Sequence, residues 1–336
     1  MRCIAVSSRK EQMETVVCDF CGSAEATPVA RQTDLLHRTT EALFTIVRCA
    51  GCGLQYTSPR PAPAEMGRYY AQDYSFHAAP SPLLRLAAVV AEHVANGPFA
   101  SVAGVFPGVG RRLAAYVKPS IPDPVRSYYA TGGRGAMLDI GCGAGTSAHF
   151  WGQRGALLAY RRIAEVAGVE IAARAREVLA AVGIEAWADI GEVPEMRRFG
   201  MIRMNWSLEH VHAPSRYFEF LRAHLEPGGR AVIAVPNYDG LIYRLAPDCV
   251  ELPIHLYHFR PRDLGNYAER YGMRILEIRT FSYLQMFVAA ARAGMLPAAF
   301  APQPGVREAR AFQSALARFD RSGWGNDMVA VLAPVE

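Results

Sequence analysis

The chain predicts an α/β fold built on an open sheet, preceded by a small cysteine module. Three observations lead there. The apolar run Met137-Leu138-Asp139-Ile140 enters directly a turn rich in glycine, Gly141-Cys142-Gly143-Ala144-Gly145-Thr146. Further short apolar runs follow at intervals that leave room for helices between them. Upstream, Cys18-Asp19-Phe20-Cys21-Gly22 and Cys49-Ala50-Gly51-Cys52-Gly53 repeat a single knuckle.

Composition bounds the class. At 336 residues and 51% hydrophobic, the chain can bury one full α/β core with accessories. The formal charge of +5 comes almost wholly from arginine, since Lys10 and Lys118 are the only lysines. Those arginines are scattered with no basic block, so the sequence gives no footprint for generic nucleic-acid binding. Residues 1–10 lack the apolar core of a secretory signal, and the apolar stretch 284–300 is interrupted by Arg292 and Pro297. A soluble, cytoplasmic protein without a transmembrane segment is expected. Residues 1–12 read as an unstructured extension, with Met13 a candidate start.

Residues 13–62 read as a zinc-binding ribbon. Two residues between thiolates let one tight turn present both sulfurs to one ion, and the glycine after each pair lets backbone amides point back at sulfur. Four thiolates from Cys18, Cys21, Cys49 and Cys52 suit tetrahedral Zn²⁺. A closed shell leaves no position for substrate, so the site is expected to be structural. The 27 residues between Cys21 and Cys49 leave room for a β-hairpin such as 42–47. Of the seven cysteines, Cys142 lies in the glycine turn and Cys3 and Cys249 stay unassigned. Nothing here asks for a disulfide.

Residues 63–135 read as a helical linker or cap. Tyr69, Tyr70 and Tyr74 precede Leu83, Leu84, Leu86, Ala87, Val90 and Val94, which approximate one helical face. That face is expected to pack as a collar, or to serve as a lid or apolar wall. Residues 136–336 read as the core. Strands are expected at 137–140, at 166–169 before Glu170, at 184–188, at 199–205, at 231–235 after the turn 225–230, and at 274–281 and 328–334. A helical insertion over 284–319 separates the last two. Glycines at alternate positions let a backbone pass close to a ligand, and a side chain at Gly141, Gly143 or Gly145 is expected to fill the ligand's space.

With Asp139 at the strand exit, this turn resembles motif I of class I S-adenosylmethionine-dependent methyltransferases, and the runs over 138–237 follow in that family's order. The resemblance implies a Rossmann-like sandwich with a mostly parallel seven-stranded sheet. It implies S-adenosylmethionine bound over Asp139, Gly141, Cys142, Gly143 and Gly145, Glu170 on the ribose, Asp189 and Ile190 at the adenine, and Asn205 at the end of the fourth strand. One departure stands out. From Gly141 to Glu170 is 29 positions, against about 20 in such units, which places extra residues around 155–162.

On the acceptor side, Pro253-Ile254-His255-Leu256-Tyr257-His258-Phe259 and Leu208-Glu209-His210 resemble small-molecule methyltransferases that carry an N-terminal zinc segment. The resemblance extends from Cys18 to about Leu332. Imidazoles accept protons near neutral pH, so His255 is the first candidate base and His258 the second, with Tyr257 orienting a substrate oxygen and His210 a further candidate. Each histidine has an alternative as a brace or helix cap, and His212 reads as a surface residue. The expected activity is methyl transfer to a small metabolite or glycosylated natural-product intermediate, at oxygen or, as a variant, at carbon, leaving S-adenosylhomocysteine. Two other classes stand beside it: an RNA methyltransferase whose ribbon grips RNA, and a non-catalytic interaction protein with a methyltransferase core. The sequence names neither the acceptor nor an oligomeric state.

Overall fold

A computed structural model of the chain describes residues 12–70, 81–100, 107–145, 156–302 and 305–335. Most of the expected N-terminal extension, Tyr74, Thr146 and the start of the expected insertion at Gly155 lie outside the described residues.

The N-terminal module comes first. β1 (Met13–Glu14) pairs with β5 (Arg60–Pro61), while β2 (Ala26–Gln32), β3 (Phe44–Cys49) and β4 (Gln55–Thr57) form a three-stranded antiparallel sheet. The hairpin thus uses all of 26–49 rather than a small piece of it. Among the described residues, helices α1 (Pro82–Asn96), α2 (Pro107–Ala114) and α3 (Pro124–Ala130) follow. Two of them begin on side-chain caps, since Ser81 Oγ accepts from the Leu84 N–H at 3.3 Å and Asp123 Oδ1 from the Val125 N–H at 3.0 Å. The apolar face expected to pack is instead turned outward: Leu83 is 76% exposed and Leu86 61%, while Ala88 and Ala95 are the buried contacts of α1. Small residues let α1 approach its neighbours, so the leucine face stays outside.

The core alternates strands and helices: β6 (Met137–Ile140), α4 (Leu157–Tyr160), β7 (Val166–Val169), α5 (Ala173–Ala181), β8 (Ala186–Trp187), β9 (Phe199–Asn205), α6 (Pro214–His224), β10 (Leu225–Pro236), α7 (Leu241–Leu245), α8 (Pro261–Arg270), β11 (Met273–Phe281), α9 (Leu284–Arg292), α10 (Val306–Arg321) and β12 (Asp327–Pro334). They give one seven-stranded sheet in the order β11-β12-β10-β9-β6-β7-β8. Only β12 runs antiparallel to its neighbours. Helices cover both faces, so β6 and β7 are buried throughout, and Asp139 is the one charged residue in them. The turn expected at 225–230 lies inside β10: Leu225 pairs with Phe199 and Arg230 with Met201, and the extra residues between them bulge out.

The cysteine module is continuous with this core. Cys18, Phe44, Leu54 and Tyr56 share one buried cluster with Leu256, Tyr257 and Phe259. The Thr57 N–H donates to Leu256 O at 2.9 Å and the His258 N–H to Gln55 O at 3.0 Å, which adds the 253–259 loop to the module's sheet edge through a Tyr56–Tyr257 bridge. Asp19, inside the first knuckle, accepts from the Ser215 N–H and hydroxyl and from Tyr267 Oη. Among the described residues, no helix is long and apolar enough to cross a membrane.

Candidate active site

The glycine turn leaves β6 with three left-handed residues, Gly141 (φ 78°), Gly143 (φ 54°) and Gly145 (φ 70°). Sequence reasoning assigned these glycines to ligand space, and the packing gives two of them another cause. A Cβ on Gly141 would stand 2.6 Å from Ser207 Cβ, and one on Gly145 would stand 2.7 Å from Leu179 Cδ2. Neighbouring protein therefore excludes side chains at both ends of the turn. Cys142 is half-buried, its thiol raised well above the ordinary range by desolvation and then by Asp139 and Glu170. It fits because β7 carries glycine beside it: a Cβ on Gly168 would sit 2.5 Å from Cys142 Sγ.

Glu170 closes the turn. Its carboxylate accepts from the Gly143 N–H and the Ala172 N–H, each at 2.8 Å, at the C-terminal end of β7. Asp139 differs from the sequence expectation. It is 1% exposed and stands in register with Arg203 on the adjacent parallel strand β9. Both its oxygens engage that guanidinium, with Nε to Oδ1 at 2.9 Å. Arg203 in turn lies over the Tyr160 ring at 5.0 Å. Both carboxylate oxygens of Asp139 are thus taken by the buried cation of its strand neighbour, which needs a counter-charge. Asp189 caps the short turn Ile190–Glu192 by accepting from the Gly191 N–H at 2.8 Å, and Ile190 is buried beneath it. Asn205 ends β9 in register with Ala234.

Two residues beyond β9, Ser207 Oγ donates to Ile140 O at 2.8 Å and ties the glycine turn to the segment Leu208–His210. There the acceptor-side candidates divide. Glu209, His210 and His255 bring their ligating atoms within 4.8 Å of one another. Among the described residues, Glu209, 1% exposed, has no hydrogen-bond partner on either oxygen, and burial pushes its carboxyl well above the usual range. It therefore does not cap a helix. His210 Nδ1 lies 2.9 Å from the Ile254 carbonyl, which can only accept; Nδ1 then carries the hydrogen and Nε2 turns its lone pair toward Glu209, 3.9 Å away. Burial and the nearby His255 lower the His210 imidazole to about 3. His255 is 7% exposed and is also lowered by burial, with Glu251 opposing.

Tyr257 and His258 take their hydrogen bonds elsewhere. Tyr257 is 2% exposed and its hydroxyl lies 3.2 Å from both His212 O and Arg60 Nη1. His258 Nε2 lies 3.1 Å from Thr57 Oγ1, and burial lowers its imidazole to about 3. The loop puts His255 beside Glu209 while Tyr257 and His258 bond to Arg60 and Thr57 of the cysteine module, so neither joins the cluster as the sequence suggested. His212, expected at the surface, is partly buried and contacts Pro61 O through Nε2 at 3.1 Å. Sequence reasoning missed three contributors. Tyr70 Oη is 3.3 Å from His210 Nδ1, and His37 Nε2 is 3.0 Å from Glu251 Oε2. Burial raises Glu251, but His255 and His37 outweigh it and hold the carboxyl at about 2. Only the doubled tyrosine at 69–70 carried any signal in the sequence.

The four cysteines converge. Cys18 Sγ lies 3.5 Å from Cys52 Sγ and Cys21 Sγ 3.4 Å from Cys49 Sγ, and all four fall within 4.8 Å. Gly22 and Gly53 follow the knuckles in the left-handed region (φ 75° and 80°), and their N–H groups donate to Cys18 O and Cys49 O.

Residues 113–278 match the family model described as a methyltransferase domain. With the strand order and glycine turn above, that stretch is a methyltransferase domain of the class I, S-adenosylmethionine-dependent type. Similar solved structures include an S-adenosylmethionine-dependent methyltransferase from Archaeoglobus fulgidus, 20% identical, covering 63% of this chain and 91% of that one with a TM-score of 0.41. Another, from Mesorhizobium loti, is 15% identical and covers 65% and 97%, with a TM-score of 0.41. A geranyl diphosphate C-methyltransferase from Streptomyces coelicolor A3(2), solved with Mg²⁺, geranyl diphosphate and S-adenosyl-L-homocysteine, is 15% identical and covers 61% and 74%, with a TM-score of 0.41. At such distances no substrate carries over. No curated protein matches the sequence.

Proposed function

We propose that the chain methylates a hydroxylated small molecule, a metabolite or glycosylated natural-product intermediate, at oxygen or at an acidic carbon. The observation that carries this reading is the cluster of Glu209, His210 and His255, joined through Ser207 to the glycine turn. When bound, S-adenosylmethionine supplies a methyl group on a sulfonium, already a good leaving group. The chain's own residues then position, desolvate and deprotonate. Gly143, in the middle of the turn, offers backbone without a side chain along the cofactor. A carboxylate oxygen accepts two hydrogen bonds, so Glu170 accepts from the turn and from a ribose hydroxyl together. Asp189 stands at the adenine end. The neutral imidazole of His255 accepts the acceptor's proton as the methyl leaves the sulfonium, and His210, packed edge-on against it, and Glu209 orient the acceptor beside it.

The cysteine cluster fits Zn²⁺. A tetrahedron with Zn–S of about 2.3 Å has sulfur separations of about 3.8 Å, close to the two closest pairs here. Cys18, Cys21, Cys49 and Cys52 would hold the ion and staple the module, with no open position for substrate.

A mass-shift assay against candidate acceptors, scoring one added methyl group, tests the reading. His255→Ala should lower turnover by roughly 100- to 10,000-fold, the usual share of general-base catalysis, with S-adenosylmethionine affinity nearly unchanged. A loss of two- or three-fold would reduce His255 to a brace, and methylation of RNA in place of every small molecule would replace the acceptor class.

A further inference from the structure

The cysteine module reaches into the acceptor cluster through one turn. Asp34, 3% exposed, accepts from the His37 N–H at 2.9 Å, the Thr39 N–H at 2.8 Å and the Thr39 hydroxyl at 2.6 Å. Arg38 between them takes a left-handed backbone (φ 53°), a conformation that a non-glycine residue keeps only where neighbours enforce it. The result is a fixed presentation of His37, whose Nε2 lies 3.0 Å from Glu251 Oε2. Glu251 begins the loop that carries His255, and the His255 N–H donates to Glu251 O at 2.8 Å. The same loop is anchored to Gln32 of β2 by a 2.7 Å bond to Val250 O.

We propose that His37 is a positioning residue of the acceptor site: the cysteine module supplies a cationic partner that holds Glu251 beside His255 and sets how strongly that carboxylate favours the charged imidazole. The inference rests on the acceptor-side role proposed above for His255. The groups facing His255 are Glu251 on its own loop, His210 and Glu209 from the segment after β9, His37 from the module, and His258 further along the loop. Of these, Glu251 is the anion and the one that favours protonated His255, while His37 opposes it. The His37 imidazole is itself raised by its bond to Glu251, against burial. When protonated, His37 screens Glu251 from His255.

The two ends of this pair must then act with opposite sign. His37→Gln keeps a neutral N–H donor on Glu251 but removes the cation, so His255 should titrate higher. Glu251→Gln removes the anion, so His255 should titrate lower. A single neighbouring charge at such range moves a titration by about one pH unit or more, so a displacement of about one unit is expected in each direction. The experiment is an NMR titration of ¹⁵N-histidine-labelled, zinc-loaded full chain in three forms, unaltered, His37→Gln and Glu251→Gln, with S-adenosylhomocysteine binding measured by calorimetry on the same samples. Opposite shifts of His255 with unchanged S-adenosylhomocysteine affinity support the inference. Shifts of the same sign, as general loosening of the loop would give, or shifts below about 0.2 unit, overturn it. Failure of the unaltered protein to bind S-adenosylhomocysteine would count against the methyltransferase reading instead, and the His255 shifts remain measurable in that case.

Discussion

Replacing Asp139 separates a cofactor contact from an internal ion pair. In the structure Asp139 is 1% exposed, Arg203 is 6% exposed, and the two side chains are bonded across adjacent strands. Asp139→Asn leaves a buried guanidinium without its counter-charge. Breaking one partner of such a pair costs about 3–5 kcal/mol, and with a urea dependence of about 3 kcal/mol per molar the unfolding midpoint should fall by about 1–1.7 M. Arg203→Met should cost a similar amount, since it strands the carboxylate instead. Removing both charges together, as Asp139→Leu with Arg203→Met, should restore much of the loss, because neither charge is then left alone in the sheet. Urea unfolding followed by tryptophan fluorescence reads the midpoint, and calorimetry reads S-adenosylhomocysteine affinity in buffer. An Asp139→Asn protein with an unchanged midpoint and a hundred-fold weaker ligand would refute this reasoning and return Asp139 to the cofactor.

Three further outcomes follow from other parts of the molecule. Metal analysis should find close to one zinc per chain, and Cys49→Ser should loosen the N-terminal module in hydrogen exchange more than it weakens cofactor binding, because thiolate-bound metal contributes to folding; equal protection with and without metal would reject a stapling role. Stability should decline as pH falls from about 6.5: His210 and His258 are neutral in the fold, each lowered to about 3 chiefly by burial, so below the unfolded value the unfolded chain binds protons that the folded chain refuses. Two such groups amount to about 3 kcal/mol between pH 6.5 and pH 5, and His258→Gln should flatten the curve; an unaltered curve would show that His258 does not contribute. Gly168→Ala should cost about 1–3 kcal/mol by overpacking, since its Cβ would stand 2.5 Å from Cys142 Sγ, and Cys142→Ala should relieve most of that cost in a double-mutant cycle. Strictly additive effects would mean that the two residues do not touch.

The sequence alone determined what depends on local pattern. Apolar runs closed by glycine or polar turns located the strands of the sheet, because a strand covered on both faces must be apolar at every position. The duplicated cysteine knuckles located four converging sulfurs, because two-residue spacing fixes the turn. The acid after β7 stands against the glycine turn for the same local reason. Tertiary structure decided the rest. Asp139 looks like a ligand group until its parallel neighbour proves to be Arg203, and register between strands 64 residues apart is not written in either one. His255, Tyr257 and His258 look alike in a short motif, yet pairing of that loop with Tyr56 of β4 turns His255 toward Glu209 and the other two toward the cysteine module. His37 gave no signal at all, since its partner Glu251 lies 214 residues away. Local pattern encodes which elements form, whereas the environment of a side chain, and with it charge and chemistry, is set by neighbours that only the folded chain brings within a few ångströms.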